Sequence, residues 1–133
     1  MNPRYDSVAA RAGHRCEYCR APELVFNFPF EVEHILPLAK GGTSQDDNLA
    51  LSCRSCNLKK GTCVESIDPV TGATAAIFHP RQDTWSDHFQ ASEITGEITG
   101  LSPKGRITTA RLNLNSTLQL AARVIWIQIG LFP

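Results

Sequence analysis

Two cysteine pairs with the spacing of metal ligands lie in the first half of this 133-residue chain. Cys16 and Cys19 form one Cys-x-x-Cys pair, and Cys53 and Cys56 form the other. Two such pairs can supply four thiolates to one tetrahedral Zn²⁺, which closes the site and leaves no position for a substrate. Cys63 stands outside both pairs. The sequence therefore predicts a structural zinc that fastens together the two ends of the segment between the pairs.

A redox or disulfide role is the alternative for these cysteines. The first six residues contain no apolar run after their charges, so they do not resemble a secretory signal. We therefore expect a cytoplasmic location, where thiols stay reduced and metal ligation is favoured over disulfides.

Three residue types between and directly after the pairs suit the hydrolysis of a phosphodiester. His34 is a candidate general base, because an imidazole can take a proton from water near neutral pH. Glu33 and Asn57 offer hard oxygen ligands that suit Mg²⁺ or Mn²⁺. Asn48 is a poorer ligand, and we expect its amide to form hydrogen bonds across a loop and orient the strand that carries His34.

Each of these residues also has an ordinary structural explanation. A Glu-His pair on a strand is usually a surface acid beside a hydrogen-bonded histidine, and Asn48 after two aspartates is typical of a turn. Their joint occurrence, in this order and beside two metal-binding pairs, favours the catalytic interpretation.

The elements that must position these residues follow from local patterns. We predict a strand over residues 32–36 that ends at Pro37, a loop over 40–44, a strand over 49–52 and a helix over 54–60. A short helix is expected before Gly13.

The second half of the chain gives weaker signals. We predict strands over residues 75–78 and 88–93, a hairpin at the repeated Ile-Thr-Gly, and a helix that begins at Pro103. We predict a second helix over residues 118–129, although the portion 124–129 also fits the alternation of a strand.

The basic residues suggest how a nucleic acid would be held. The formal net charge is zero, which argues against indiscriminate nucleic-acid coating but not against a local contact. Arg54, Lys59 and Lys60 lie on the predicted helix beside Asn57, where they can hold phosphates. Arg81 is a further candidate for phosphate, although packing is the commoner role of such a residue.

The order of these motifs resembles the HNH endonuclease family. The resemblance rests on Glu-His-Ile-Leu-Pro (33–37), Gly-Gly-Thr (41–43), Asp-Asn-Leu (47–49) and Cys-Arg-Ser-Cys-Asn-Leu-Lys-Lys-Gly (53–61). It implies the ββα-metal fold. Together with the local patterns above, this predicts an α+β protein with that core over residues 1–64 and a C-terminal extension of short strands and two helices over residues 65–133. The resemblance also implies a divalent-metal nuclease that acts on DNA, most readily duplex DNA, and leaves 5′ phosphates.

Two other kinds of function stay open on the sequence alone. One is a zinc-ribbon module that binds nucleic acid without cutting it. The other is a structural or partner-binding protein that uses residues 118–132, a segment that would also suit a homodimer. No membrane partner is expected, because this stretch contains Gln119, Arg123 and Gln128 and is shorter than the roughly 18 apolar residues of a span.

Overall fold

The computed structural model describes all of residues 1–133. The first half consists of helix α1 (Tyr5–Arg11), strand β1 (Glu31–His34), strand β2 (Leu49–Ser52) and helix α2 (Arg54–Lys60). Short 3₁₀ turns at Glu23–Val25, Leu38–Lys40 and Asp46–Asn48 connect them. The expected strand–loop–strand–helix order is thus confirmed.

The two strands pair antiparallel, with Glu31 opposite Ser52 and His34 opposite Leu49. All four residues of β2 are buried, because α1 packs against this strand and α2 continues from it. Cys53 occupies the N-cap of α2, where its sulfur accepts the backbone N–H of Cys56. The same cysteines that suit a metal therefore also fix the start of the helix.

The second half adds two small antiparallel hairpins and three helices. The strands are β3 (Glu65–Ile67) with β4 (Thr74–Ala76), and β5 (Phe89–Ala91) with β6 (Ile98–Gly100). The helices are α3 (Trp85–His88), α4 (Pro103–Arg111) and α5 (Thr117–Gln128).

Three elements of this half can be compared with the predictions from the sequence. Residues 118–128 are helical, which confirms the predicted second helix and shows that the strand alternative for its last part is wrong. Strand β3 escaped prediction because it has only three residues and is mostly exposed, so it carries no periodic signal. The one-turn helix α3 is additional to the two helices that were expected.

One buried cluster of 22 residues runs through both halves and includes the four paired cysteines. Polar contacts also join the halves. The Trp85 indole N–H donates to the Tyr18 carbonyl oxygen at 2.8 Å, and the Gln119 amide donates to the Ser55 hydroxyl at 3.0 Å. None of the helices combines the length and the apolar character that crossing a bilayer requires.

Candidate functional site

The four paired cysteines converge in the core. The sulfurs of Cys16, Cys19, Cys53 and Cys56 all lie within 4.8 Å of one another, and all four residues are buried. The Cys19 and Cys53 sulfurs are 3.8 Å apart. Zn–S bonds of about 2.3 Å in a tetrahedron separate the sulfurs by roughly the same distance, whereas a disulfide needs about 2.05 Å. The geometry and the donor chemistry therefore fit a four-thiolate zinc site.

The protonation of the thiols determines how a cation would bind here. Hydrogen bonds that Cys19 and Cys56 donate to the Cys16 sulfur, followed by hydrogen bonds with other cysteines of the cluster and by burial, raise the pKa values of Cys19 and Cys56 well above the ordinary thiol value. Burial opposes ionisation of Cys16 too, but hydrogen bonds from the other three cysteines hold its pKa well below that value. Without a cation the cluster thus favours the thiolate of Cys16 and the thiols of Cys19 and Cys56. Zinc binding must displace the remaining protons, which makes its affinity depend on pH.

The first cysteine pair is attached directly to strand β2. The Cys16 N–H donates to the Ala21 carbonyl oxygen at 3.0 Å, which closes the turn that presents the pair. The Glu17 N–H donates to the Leu51 carbonyl oxygen, and the Leu51 N–H donates to the Glu17 carboxylate, both at 2.9 Å. The metal-binding turn is therefore positioned by the same hairpin that carries His34.

His34 lies at the end of β1 and is partly exposed, with its Nε2 atom 3.0 Å from the Ser44 hydroxyl oxygen. The buried Asn48 side chain fixes the loop between these residues. Its Oδ1 atom accepts the Leu36 N–H at 2.8 Å, and its Nδ2 group donates to the Leu36 and Thr43 carbonyl oxygens at 3.0 and 2.7 Å. Asn48 thus acts on the surroundings of His34 through the loop, which is a positioning arrangement.

Gly42 allows this loop to fold back on the strand. Its N–H donates to the Pro37 carbonyl oxygen at 3.0 Å. A Cβ atom at this position would lie 1.8 Å from the Leu36 carbonyl oxygen, inside van der Waals contact with rigid backbone. No residue with a side chain can therefore replace Gly42 without moving the loop that holds Ser44.

The structure differs from the sequence expectation for Glu33 and Lys60. The Lys60 side chain is 1% exposed and the Glu33 side chain 5% exposed, and the ammonium lies 3.2 Å from the Glu33 carboxylate. Lys60 also donates to the Ile35 carbonyl oxygen at 2.9 Å, and the Tyr18 hydroxyl donates to Glu33. Burial raises the pKa of Glu33, and Lys60 and Tyr18 offset part of this rise. Lys60 therefore serves a buried carboxylate and is not available to a phosphate.

Asn57 meets a different acid, Glu31, which sequence reasoning missed. The Asn57 side-chain N–H donates to the Glu31 carboxylate, and the Arg54 guanidinium lies 3.3 Å from the same group. The structure does not bring Asn57 into hydrogen-bond contact with Glu33. The signal was present in the sequence, because Glu31 and Glu33 are two residues apart on a strand and share one face. Asn57 and Lys60 are three apart on α2, so each acid meets its own helical partner.

The remaining basic residues also separate into two groups. Arg81 donates to the Glu17 carboxylate and is mostly buried, and burial lowers its pKa to about 10. It joins the extension to the first cysteine turn, which corrects its assignment to phosphate. Arg54 keeps 64% of its side chain exposed, and the partly exposed Lys59 has no acidic partner.

Comparison with known proteins agrees with this arrangement. Residues 16–62 match the family model described as HNH endonuclease. No curated protein and no solved structure matches the chain with significant similarity. The matched segment contains both cysteine pairs, the β1–β2 hairpin and all of α2, including His34, Asn48 and Asn57. Residues 16–62 of this α+β protein, built around its four-cysteine cluster, are therefore similar to the HNH endonuclease family.

Proposed function

We propose that this chain is a metal-dependent endonuclease that hydrolyses DNA phosphodiester bonds. The observation that carries the proposal is the placement of His34 and Asn57 within the family segment. His34 is accessible at the end of β1, and Asn57 lies on the helix that the cysteine cluster anchors. A protein that only binds nucleic acid has no need of this combination.

His34 is the residue that we assign to proton transfer. Hydrolysis requires a water molecule to lose a proton as it attacks phosphorus, and imidazole is suited to accept it. Ser44 engages Nε2, while Nδ1 makes no hydrogen bond within the protein. Asn48 holds the loop that carries Ser44 and so restricts the orientation of the imidazole.

The oxygen atoms beside α2 fit a hard divalent cation. Asn57 Oδ1 accepts no hydrogen bond, and the Glu31 carboxylate in contact with this side chain is partly exposed. We propose that Asn57 and one carboxylate of β1 hold Mg²⁺ or Mn²⁺, which when bound neutralises charge on the phosphate and on the leaving 3′ oxygen. Glu33 is the ligand that the family resemblance implies, whereas Glu31 is the carboxylate that contacts Asn57.

Two variants decide between these carboxylates. Glu31→Gln and Glu33→Gln each remove one charge and keep the shape of the side chain. The variant that replaces the true ligand should need a higher Mn²⁺ concentration for half-maximal cleavage. The other variant should leave this concentration unchanged, and Glu33→Gln should then alter only the stability of the fold. Equal metal dependence in both variants and in the wild type would contradict both assignments.

The nuclease itself is tested with zinc-loaded protein, supercoiled plasmid, and Mg²⁺ or Mn²⁺. His34→Ala should lower the rate of conversion to open-circle or linear DNA by roughly 10²- to 10⁴-fold, the typical contribution of a general base. His14→Ala is a matched control, because that ring pairs with Glu23 on another surface. It should cut like the wild type. Equal cleavage by the two histidine variants would remove His34 from the mechanism.

One observation favours a second candidate, a module of the same fold that binds nucleic acid without cutting it. Glu33 is already occupied by Lys60 and Tyr18, as it would be in a purely structural role. The plasmid experiment separates the two functions. A folded, zinc-loaded wild type that binds DNA and cuts none of it with either metal would select the binding module.

A further inference from the structure

A cavity of about 300 Å³ opens beside helix α2, and none of its lining residues belongs to the loop that follows His34. The aromatic segment 26–30 forms one wall, and α5 forms the other through Leu118 and Trp126. The cavity also borders Glu31, the acid in contact with Asn57. It therefore adjoins the proposed metal site without being part of it.

Three of the aromatic rings that line this cavity pack together, and a fourth does not. Phe26 packs against Phe30 with ring centroids 4.8 Å apart, and against Trp126 with centroids 6.2 Å apart. Phe28 is 53% exposed and contacts no other aromatic ring. A half-exposed ring at the mouth of an apolar cavity offers a free face to a flat ligand, which gains from stacking as well as from burial.

Two basic residues also line this cavity. They are Arg54 and Lys59, both on α2. Glu31 is the acid among the lining residues, and its carboxylate is engaged by Arg54 and by the Asn57 amide. Ser55 and Gln119 satisfy each other by a hydrogen bond of 3.0 Å, so the interior of the cavity presents few free polar groups. An apolar, aromatic interior with cationic side chains at its edge is complementary to a nucleobase followed by its phosphate.

We propose that this cavity binds an unpaired nucleobase of the DNA substrate, stacked on Phe28, while Arg54 and Lys59 hold the adjoining phosphate. Both faces of a base inside a duplex are already stacked, so only an unpaired or extruded nucleotide can enter. The inference rests on the proposed nuclease function and narrows its substrate to DNA with an unpaired nucleotide next to the scissile phosphate. Arg54 and Asn57 are three residues apart on α2, which places this phosphate close to the proposed metal ligand.

Binding measurements with zinc-loaded protein test the inference without requiring cleavage. The probes are a fluorescein-labelled oligo-dT of 20 nucleotides, the same strand with abasic sites in place of the bases, and a fully paired duplex, all without Mg²⁺ or Mn²⁺. The test variant is Phe28→Ala. Leu24→Ala is the matched control, because Leu24 is exposed in the same connection but does not line the cavity. Both positions are exposed, so both variants should fold.

The wild type should bind oligo-dT more tightly than the duplex or the abasic strand. Phe28→Ala should weaken binding of oligo-dT by about 5- to 100-fold, the range that loss of one stacking ring gives. It should leave duplex binding unchanged, and Leu24→Ala should leave all three affinities unchanged. Equal affinities of the two variants for oligo-dT, or tighter wild-type binding to the duplex, would overturn the inference.

Two further outcomes have defined meanings. If the wild type sediments as a dimer and Phe28→Ala as a monomer, the cavity is an interface between two copies of the chain and the inference fails. If oligo-dT binding depends on Phe28 but no DNA is cut with either metal, the cavity is confirmed and the proposed catalysis fails. If plasmid is cut and oligo-dT binding is indifferent to Phe28, the catalysis stands and the inference fails.

Discussion

Replacing Lys60 by methionine tests the most unexpected interaction in the protein, the buried pair between Lys60 and Glu33. The substitution keeps the length and the apolar stem of the side chain and removes only its charge. It leaves the Glu33 carboxylate buried with the Tyr18 hydroxyl as its remaining side-chain partner. Removing one partner of a buried ion pair typically costs about 3–5 kcal/mol. For a chain of this size, we expect the melting temperature to fall by on the order of 10–20 °C at pH 7.

The pH dependence of this loss follows from Glu33. Without Lys60, burial acts on the carboxylate with less opposition, so its folded-state pKa rises further above the unfolded value of about 4.3. A carboxyl group with a raised folded-state pKa destabilises the fold progressively as the pH rises above its unfolded-state pKa, because folding must then take up a proton or, above the folded-state pKa, bury the charge. The stability difference between variant and wild type should therefore be larger at pH 8 than at pH 5.

The assay is urea unfolding followed by far-ultraviolet circular dichroism at a fixed free zinc concentration. Lys59→Met is the matched control, because it makes the same change at the adjacent, partly exposed residue and should cost no more than about 0.5 kcal/mol. The double variant Lys60→Met, Glu33→Gln should recover part of the loss, since it leaves no charge buried. Equal unfolding free energies for the two single lysine variants would refute the buried pair.

Three other predictions follow from the zinc site, the Asp68 pair and the basic residues of α2. Removing zinc with a strong chelator should unfold the first half of the chain reversibly, and an unchanged melting curve in metal-free protein would contradict this. Hydrogen bonds from Arg106 hold the pKa of Asp68 well below its usual range, so its contribution to stability is present above about pH 4 and is lost as the pH falls. At pH 7, Asp68→Asn should therefore be less stable to urea than the exposed control Asp87→Asn, whereas near pH 2 the two variants should not differ in this way. Parallel curves of stability against pH for the two variants would contradict the pairing. Arg54→Gln and Lys59→Gln should each reduce the slope of log affinity for duplex DNA against log salt by about one, whereas an unchanged slope would place these residues off the DNA.

Local patterns were enough to predict the ββα core, because its constraints are short in range. A cysteine pair, a helix stop at Gly61 and a turn of known composition each act within a few residues. The observed strand β1 runs over Glu31–His34 rather than 32–36. Ile35 already donates its N–H to the Asn48 carbonyl oxygen in the turn before β2, so the hairpin continues as a loop contact.

The partners of Asn57 and Lys60 could not be predicted in the same way, because they depend on how α2 docks on β1. The two-residue period places Glu31 and Glu33 on one face, but it does not tell which of them lies opposite Asn57. Lys60 carried a usable signal, since it lies four residues after the buried Cys56 on the same side of the helix. The neighbouring Lys59 favours a surface position for Lys60, but the helical period places Lys60 on the buried side of α2.

Helix α2 connects the zinc to both proposed activities. Its first turn is fixed by the cysteine cluster, Asn57 and Lys60 meet the carboxylates of β1, and Arg54 borders the aromatic cavity. A rotation or shift of this helix would therefore displace the proposed metal ligand and the cavity edge together. We therefore propose that zinc, although it would contact no substrate, controls whether the proposed base-binding cavity and the proposed hydrolytic site are in register along one DNA strand. A loss of zinc that abolished cleavage but left the preference for oligo-dT intact would separate the two sites and show that α2 does not couple them.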